Sequence, residues 1–314
     1  MEIDFTELVG KKVLTATKLS GGINNPTYKL ICCDQSKFII QFSGEKYPDK
    51  AMKQPLIVSL LKDKTNLPIA NIIKSDTTKE LVDKDYIILE FIEGNLLKDI
   101  SDNFTNKEII KLYQEIAKYL SSLHSIKLDS FGEFTIENGS LKITNKYDSA
   151  KEQIYEEYQS WINQAKETPF EHFIPSLTKW LKNNINVFGE DIDPCLTHND
   201  FSNTNMLVLE DGTISAIIDL DNISPGNNVT DIYRIYANFN DEKKELALKT
   251  FFKNYKVELP KNFEKQIKFY EITHVLAYIE CWKQILNSYT EEELKKMIKK
   301  MNADINKLLK TKLY

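Results

Sequence analysis

The feature that most limits how this chain can fold is a change of hydrophobic period near residue 94. Before it, β-branched and apolar residues alternate in short runs. After it they recur about every 3.6 residues. Alternation suits a half-buried strand, and the longer period suits an amphipathic helix. A β-rich part must therefore come first and a helix-rich part second. Residues 13–20, 27–33 and 37–43 read as strands. Gly21-Gly22-Ile23-Asn24-Asn25-Pro26 and Asp34-Gln35-Ser36 separate them with good turn chemistry, which predicts an antiparallel meander. A helix is expected over 52–62, with further strands over 71–75 and 86–91.

Beyond Gly94, Thr105 and Glu108 have capping-box spacing and open a helix to about residue 123. Its apolar face is Ile109, Leu112, Ile116, Tyr119 and Leu120. Helical patterns recur over 148–166, 174–186, 241–255, 261–288 and 291–310, and Thr290 with Glu293 forms a second capping box. One short β element is expected among them. Residues 206–210 and 213–218 are joined by Asp211-Gly212, read as a two-residue hairpin turn. The expected class is α+β and bilobal. Residues 1–92 form a small antiparallel lobe, residues 93–314 a larger helical one, and a hinge lies near 91–96.

Charge and cysteine usage narrow the function. The 41 basic residues against 46 acidic ones give a net charge of −5 with no basic tract, which argues against a nucleic-acid partner. No apolar run is long enough for a membrane span, and the acidic N-terminus is unlike a signal peptide. The four cysteines, at 32, 33, 195 and 281, lack zinc-site spacing and read as reduced thiols of a cytoplasmic protein, monomeric or homodimeric. Arg234 is the only arginine.

The chemistry concentrates in Cys195-Leu196-Thr197-His198-Asn199-Asp200-Phe201-Ser202-Asn203-Thr204-Asn205 and, behind an apolar strand, Ile217-Ile218-Asp219-Leu220-Asp221. A two-residue turn at Asp211-Gly212 would set Asn205 opposite Ile218, beside Asp219, with Asp200 in the loop just before. Two carboxylates and an amide oxygen are hard ligands suited to Mg²⁺ on a nucleotide phosphate. Kinases use such a set for phosphoryl transfer: one Asp orients and deprotonates the acceptor hydroxyl, while an Asn and a second Asp hold the metals. The alternative is a polar turn whose Asp200 and Asn205 cap backbone amides.

This segment resembles the Brenner-type motif of the aminoglycoside phosphotransferase and choline kinase superfamily, the small-molecule kinases of the protein-kinase-like fold. Leu89-Glu90-Phe91-Ile92-Glu93-Gly94 is similar to that family's interlobe hinge, Leu123-His124-Ser125-Ile126 to the end of its first large-lobe helix, and Ser20-Gly21-Gly22-Ile23-Asn24-Asn25 to its nucleotide-covering loop. The similarity spans roughly residues 13–240. It implies Asp200 as catalytic residue, Asn205 and Asp219 as metal ligands, and ATP or GTP as phosphoryl donor. Ser20, Gly21, Gly22 and Asn24 would cover the nucleotide, and the backbone of Glu90, Phe91 and Ile92 would meet its base. Taken alone, Gly21-Gly22 equally suits a plain hairpin turn. His198 would tie the catalytic loop to its neighbours, with a general-base role as the competing reading. Asp231 would start a helix and brace that loop. Asp221 is either a third carboxylate near the metal or a turn residue. Arg234 is expected to pair with a buried carboxylate, with a substrate contact as the alternative.

The resemblance also exposes a departure. The family's small-lobe Lys–Glu pair appears as Gln41 and Gln54, two amides with no positive charge. Lys46 and Lys53 are candidate replacements for the missing cation, and a nucleotide-binding pseudokinase stays in play. For the acceptor, residues 1–95 balance 13 Lys against 13 acidic residues, so the rest of the chain carries the whole −5. That suits a cationic small-molecule acceptor of aminoglycoside type, with ordinary surface charge as the alternative. A choline or ethanolamine kinase is the metabolic alternative. Tyr155, Tyr158, Trp161, Tyr278 and Trp282 could box an ammonium, or belong to the core.

Overall fold

The computed structural model describes residues 3–19, 25–189, 192–236 and 241–313. After a short helix α1 (Phe5–Val9), strands β1 (Val13–Lys18), β2 (Thr27–Cys32) and β3 (Lys37–Phe42) form the expected meander. Helix α2 (Lys50–Lys64) follows, then β4 (Ile72–Asp76) and β5 (Tyr86–Glu90). The five strands make one antiparallel sheet in the order β1-β2-β3-β5-β4. Leu30, Ile40, Phe42, Tyr86 and Ile88 fill one face together with Leu8 of α1.

Helix α2 is anchored to both lobes. Ala51 packs on Ile87 and Leu89 of the sheet, whereas Ile57, Val58 and Leu61 join the large core of the second lobe. Pro55 sits inside the helix and cannot donate to the carbonyl of Ala51. The Ser75 hydroxyl of β4 supplies that hydrogen bond instead and ties the first turn of α2 to the sheet.

The chain leaves the sheet at Glu90 and enters the helical lobe through β6 (Asn95–Leu96) and α3 (Leu97–Ile100). Gly94 has φ +151°, and a Cβ there would lie 2.5 Å from Ser215 Oγ, so the linker passes the second lobe only as glycine. Helix α4 (Asn106–His124) has the expected capping box and buries Ile109, Leu112, Ile116 and Leu120. A hairpin, β7 (Phe131–Glu137) and β8 (Ser140–Tyr147), comes next. It corrects the expectation of a single β element in this half. Its turn, Asn138-Gly139 with φ +50° and +72°, has the chemistry of a type I′ turn. Helices α5 (Ala150–Asn163) and α6 (Ile174–Asn184) lead to β9 (Cys195–Thr197), β10 (Met206–Val208), β11 (Ile214–Ile217) and β12 (Ser224–Gly226).

The remainder is helical: α7 (Val229–Tyr236), α8 (Asp241–Asn254), α9 (Phe263–Thr273), α10 (Val275–Glu280), α11 (Trp282–Leu286) and α12 (Glu291–Lys310), the last with its capping box. The single pattern over 261–288 is thus three helices, broken at His274 and Cys281. The four cysteines are unpaired. No described helix is long and apolar enough to cross a membrane.

Candidate active site

The expected hairpin geometry arises by a different route. Its turn holds three residues: Leu209 N–H donates to Thr213 O, Gly212 N–H donates to Leu209 O, and Gly212 takes φ +79°. That slips the register by one, and an irregularity between Leu207 and Val208 slips it back. Met206 then pairs with Ile217, and Ile218 N–H donates to Asn205 O at 3.0 Å. Asn205 and Asp219 therefore end up side by side, as expected. β10 also pairs with β6, and Lys98 N–H donates to Asn203 O, so the interlobe linker is stitched to the loop it must face.

Asp200 is half-buried and held at both oxygens. Asn205 Nδ2 donates to Oδ2 at 2.8 Å and to the Asp200 carbonyl at 2.9 Å, and Arg234 lies 3.6 Å from Oδ1. Arg234 thus departs from the expectation of a buried partner: its carboxylate is the half-exposed Asp200. With its Nδ2 committed, Asn205 has its amide oxygen to offer a cation. Asp219 has φ +61°, an uncommon left-handed conformation that turns its side chain out of the ladder direction. It keeps contact with water, yet surrounding protein raises its pKa, and the like charge of Asp221 adds to this. Asp219 beside the Asn205 amide oxygen, with Asp200 in the adjoining loop, forms a hard-oxygen donor set that fits Mg²⁺.

A buried brace fixes the loop. Asp231, at the start of α7, accepts from the backbone N–H groups of His198 (2.8 Å) and Asn199 (2.7 Å). It also meets His124 Nε2 at 3.0 Å, while His124 Nδ1 lies 2.8 Å from the Tyr255 hydroxyl. Asp231 and His124 are fully buried. His198 is also fully buried; its Nδ1 accepts from Asp200 N–H at 3.3 Å, and its Nε2 has no partner. The Nδ1 lone pair is therefore occupied, and Nε2 faces protein. This geometry favours the positioning role over the general base.

Around the nucleotide side the outcome is mixed. Ser20, Gly21, Gly22 and Asn24 lie outside the described residues. Glu90 ends β5, and its side chain turns back to Asn71, accepting from N and Nδ2 at 2.8 Å. Phe91 lies under the ammonium groups of Lys29 and Lys37, and Ile92 follows in the extended linker. Gln41 Nε2 reaches Thr27 Oγ1 at 3.4 Å, and Gln54 Oε1 is buried with no partner, so the two amides do not replace an ion pair with a hydrogen bond. Of the candidate cations, Lys46 pairs with Glu280 at 2.9 Å, and Lys53 is half-buried on α2.

Sequence reasoning missed Lys50. Its Nζ lies 2.7 and 2.6 Å from the two oxygens of Asp221, whose Oδ2 also accepts from Asn25 Nδ2 at 2.7 Å. Asp221 is therefore neither a free third carboxylate nor a mere turn residue. Tyr47 donates to Asn222 Oδ1 at 2.8 Å beside it. One signal was available: a lysine in the first turn of a helix opposes the helix dipole.

In the second lobe, Glu157 of α5 is exposed, yet the protein around it, and then the like charges of Glu133 and Glu280, raise its pKa to about 7. A groove of about 620 Å³ also opens between α9, α10 and α12, lined by Glu271, His274, Tyr278, Tyr289, Met297 and Lys300 among others. Burial and then the Arg234 charge lower the pKa of His274, with Asp200 opposing. Two of the five aromatics belong to the core: Tyr158 packs on Trp161 and Phe269, and Trp282 on Phe170, with Tyr158 and Trp282 buried, whereas Tyr278 is exposed.

A family model described as the phosphotransferase enzyme family matches residues 15–264. The fold is similar to that of APH(2″)-IIa in complex with gentamicin, at 17% identity and TM-score 0.66, covering 100% of this chain and 98% of that one. It is similar also to ADP-bound aminoglycoside phosphotransferase APH(2″)-Ib, at 18% and 0.66, covering 98% and 95%. Macrolide 2′-phosphotransferase type I gives 11% and 0.65, covering 94% of each chain. No curated protein sequence matches significantly.

Proposed function

We propose, from the premise that this chain belongs to the phosphotransferase enzyme family, that it moves the γ-phosphoryl group of ATP or GTP to a hydroxyl of a cationic, aminoglycoside-type small molecule. The observation that carries this is the placement of Asp200, Asn205 and Asp219 at one end of the β10–β11 hairpin, with Asp200 tethered at both oxygens. In this reading residues 1–92 bind the nucleotide, and residues 93–314 supply the catalytic loop and the acceptor site.

Asp200 would receive the acceptor hydroxyl. The bonds from Asn205 and the nearby Arg234 hold this carboxylate in one orientation. It orients the hydroxyl and takes the proton late, which suits a loose phosphoryl-transfer transition state. Asn205 Oδ1 and Asp219 would hold Mg²⁺, which when bound neutralises charge on the transferring phosphates. Asp219→Ala should abolish the Mg²⁺ dependence of nucleotide binding in calorimetry. Equal dependence in the variant and the wild type would remove Asp219 from the metal site.

The cluster of Glu157, Glu133 and Glu280, within electrostatic reach of Arg234, supports a cationic acceptor. Glu157 titrates at about 7. Above that pH it is anionic and attracts a cation; below it the charge is lost. The KM for a cationic acceptor should therefore rise as pH falls from 8 to 6, and Glu157→Gln should flatten that step. A step of undiminished size in the variant would take Glu157 out of the acceptor site. Burial of Tyr158 and Trp282 weighs against an aromatic cage for choline. The direct test is nucleoside-diphosphate release with MgATP or MgGTP over aminoglycosides, macrolides, choline, ethanolamine and homoserine. Turnover on choline alone would select the metabolic alternative. Nucleotide binding with silence across the panel would favour a pseudokinase.

A further inference from the structure

We propose that Lys50 is the cation that meets the nucleotide's phosphates, positioned for that contact by Asp221 and Asn25. This rests on the phosphotransferase reading above. Lys50 is the only buried lysine among the described residues, at 3% exposure. It opens α2, where the helix dipole disfavours positive charge and no acidic residue of the first turn offsets it. Its partner Asp221 is nearly as buried, and the attraction within such a pair does little more than repay the desolvation of both groups. Stability alone therefore gives weak grounds for the pair. Its place gives better ones, because Asp221, which holds the ammonium at 2.7 and 2.6 Å, is two residues from Asp219.

Gln41 and Gln54 carry no charge, and Lys46 is drawn away to Glu280. A nucleoside triphosphate brings several negative charges to this spot, and Mg²⁺ neutralises only part of them. An ammonium has three donor hydrogens, so Lys50 can stay on Asp221 and still turn toward phosphate oxygens. Asp221 is held in turn: Asn25 donates to it, and Asn25 Oδ1 accepts from Gly44 N–H at 3.0 Å. Helix α2 is locked into the core of the second lobe through Ile57, Val58 and Leu61, so Lys50 keeps a fixed distance from the catalytic hairpin.

The test separates a phosphate contact from simple neutralisation of Asp221. Lys50→Met alone leaves a buried carboxylate unpaired and could unfold the chain. The double variant K50M/D221N removes both charges, and a melting curve checks that it folds. Binding of MgADP, MgGDP, adenosine and guanosine is measured by calorimetry on both variants and the wild type. The expected result is a loss of about tenfold to a hundredfold for the diphosphate in the folded double variant, with nucleoside affinity unchanged. A double variant that binds the diphosphate as the wild type does overturns the role of Lys50, as does an equal loss for nucleoside and diphosphate. A wild type that binds neither diphosphate sinks the phosphotransferase reading itself, and the Lys50 assignment with it.

Discussion

Asp200→Ala is expected to lower turnover by about 10²- to 10⁴-fold, the usual reach of a general acid or base, while the protein melts within a few degrees of the wild type. The two effects separate because of where Asp200 sits. Its side chain is 30% exposed; of the donors it leaves behind, Arg234 is 27% exposed and Asn205 Nδ2 keeps its bond to the carbonyl of residue 200. Little folding energy is at stake. Asp200→Asn keeps the shape but removes the charge, and a comparable loss would assign the effect to the carboxylate rather than to disturbed packing. Steady-state diphosphate release with a melting curve on each variant decides the matter. Activity within threefold of the wild type in either variant would remove Asp200 from the reaction.

Asp231→Ala should act in the opposite way, through the fold. The carboxylate accepts from two backbone N–H groups and faces His124 Nε2, all at a site with no solvent contact. Truncation would orphan these donors together, at a cost of about 3–5 kcal/mol, as for breaking a buried charged network. A fall in melting temperature of roughly 5–15 °C is the corresponding readout. Asp231→Asn should fail almost as badly, because its amide group would turn a second donor toward donors. Turnover should fall as well, since His198 and Asn199 fix the loop that aims Asp200. A variant that melts as the wild type does would show that the brace is dispensable.

Much of the candidate site was legible because its parts are close in sequence. Asp200, Asn205 and Asp219 fall within one loop and one hairpin, where register follows from chain length. Even so, the register was right for an incomplete reason: a three-residue turn and a ladder irregularity cancel, and only the pairing shows both. The β7–β8 hairpin went unnoticed although Asn138-Gly139 announces it. Its second strand buries no residue, which leaves the alternation weak. The partners of Arg234 and His124 were beyond reach, since each belongs to a distant segment.

By itself, the sequence determined what depends on local period and spacing: the order of sheet and helices, the two capping boxes, and the placing of Asn205 beside Asp219. These follow from backbone geometry over a few residues, which alternation and turn chemistry report directly. Only the tertiary structure decided which charges meet. Lys50 and Asp221 are 171 positions apart, and Asp231 reaches His124 across 107. Such contacts exist because docking α2 and α7 into one core buries ionisable groups, and a buried charge must find its partner wherever the fold brings one.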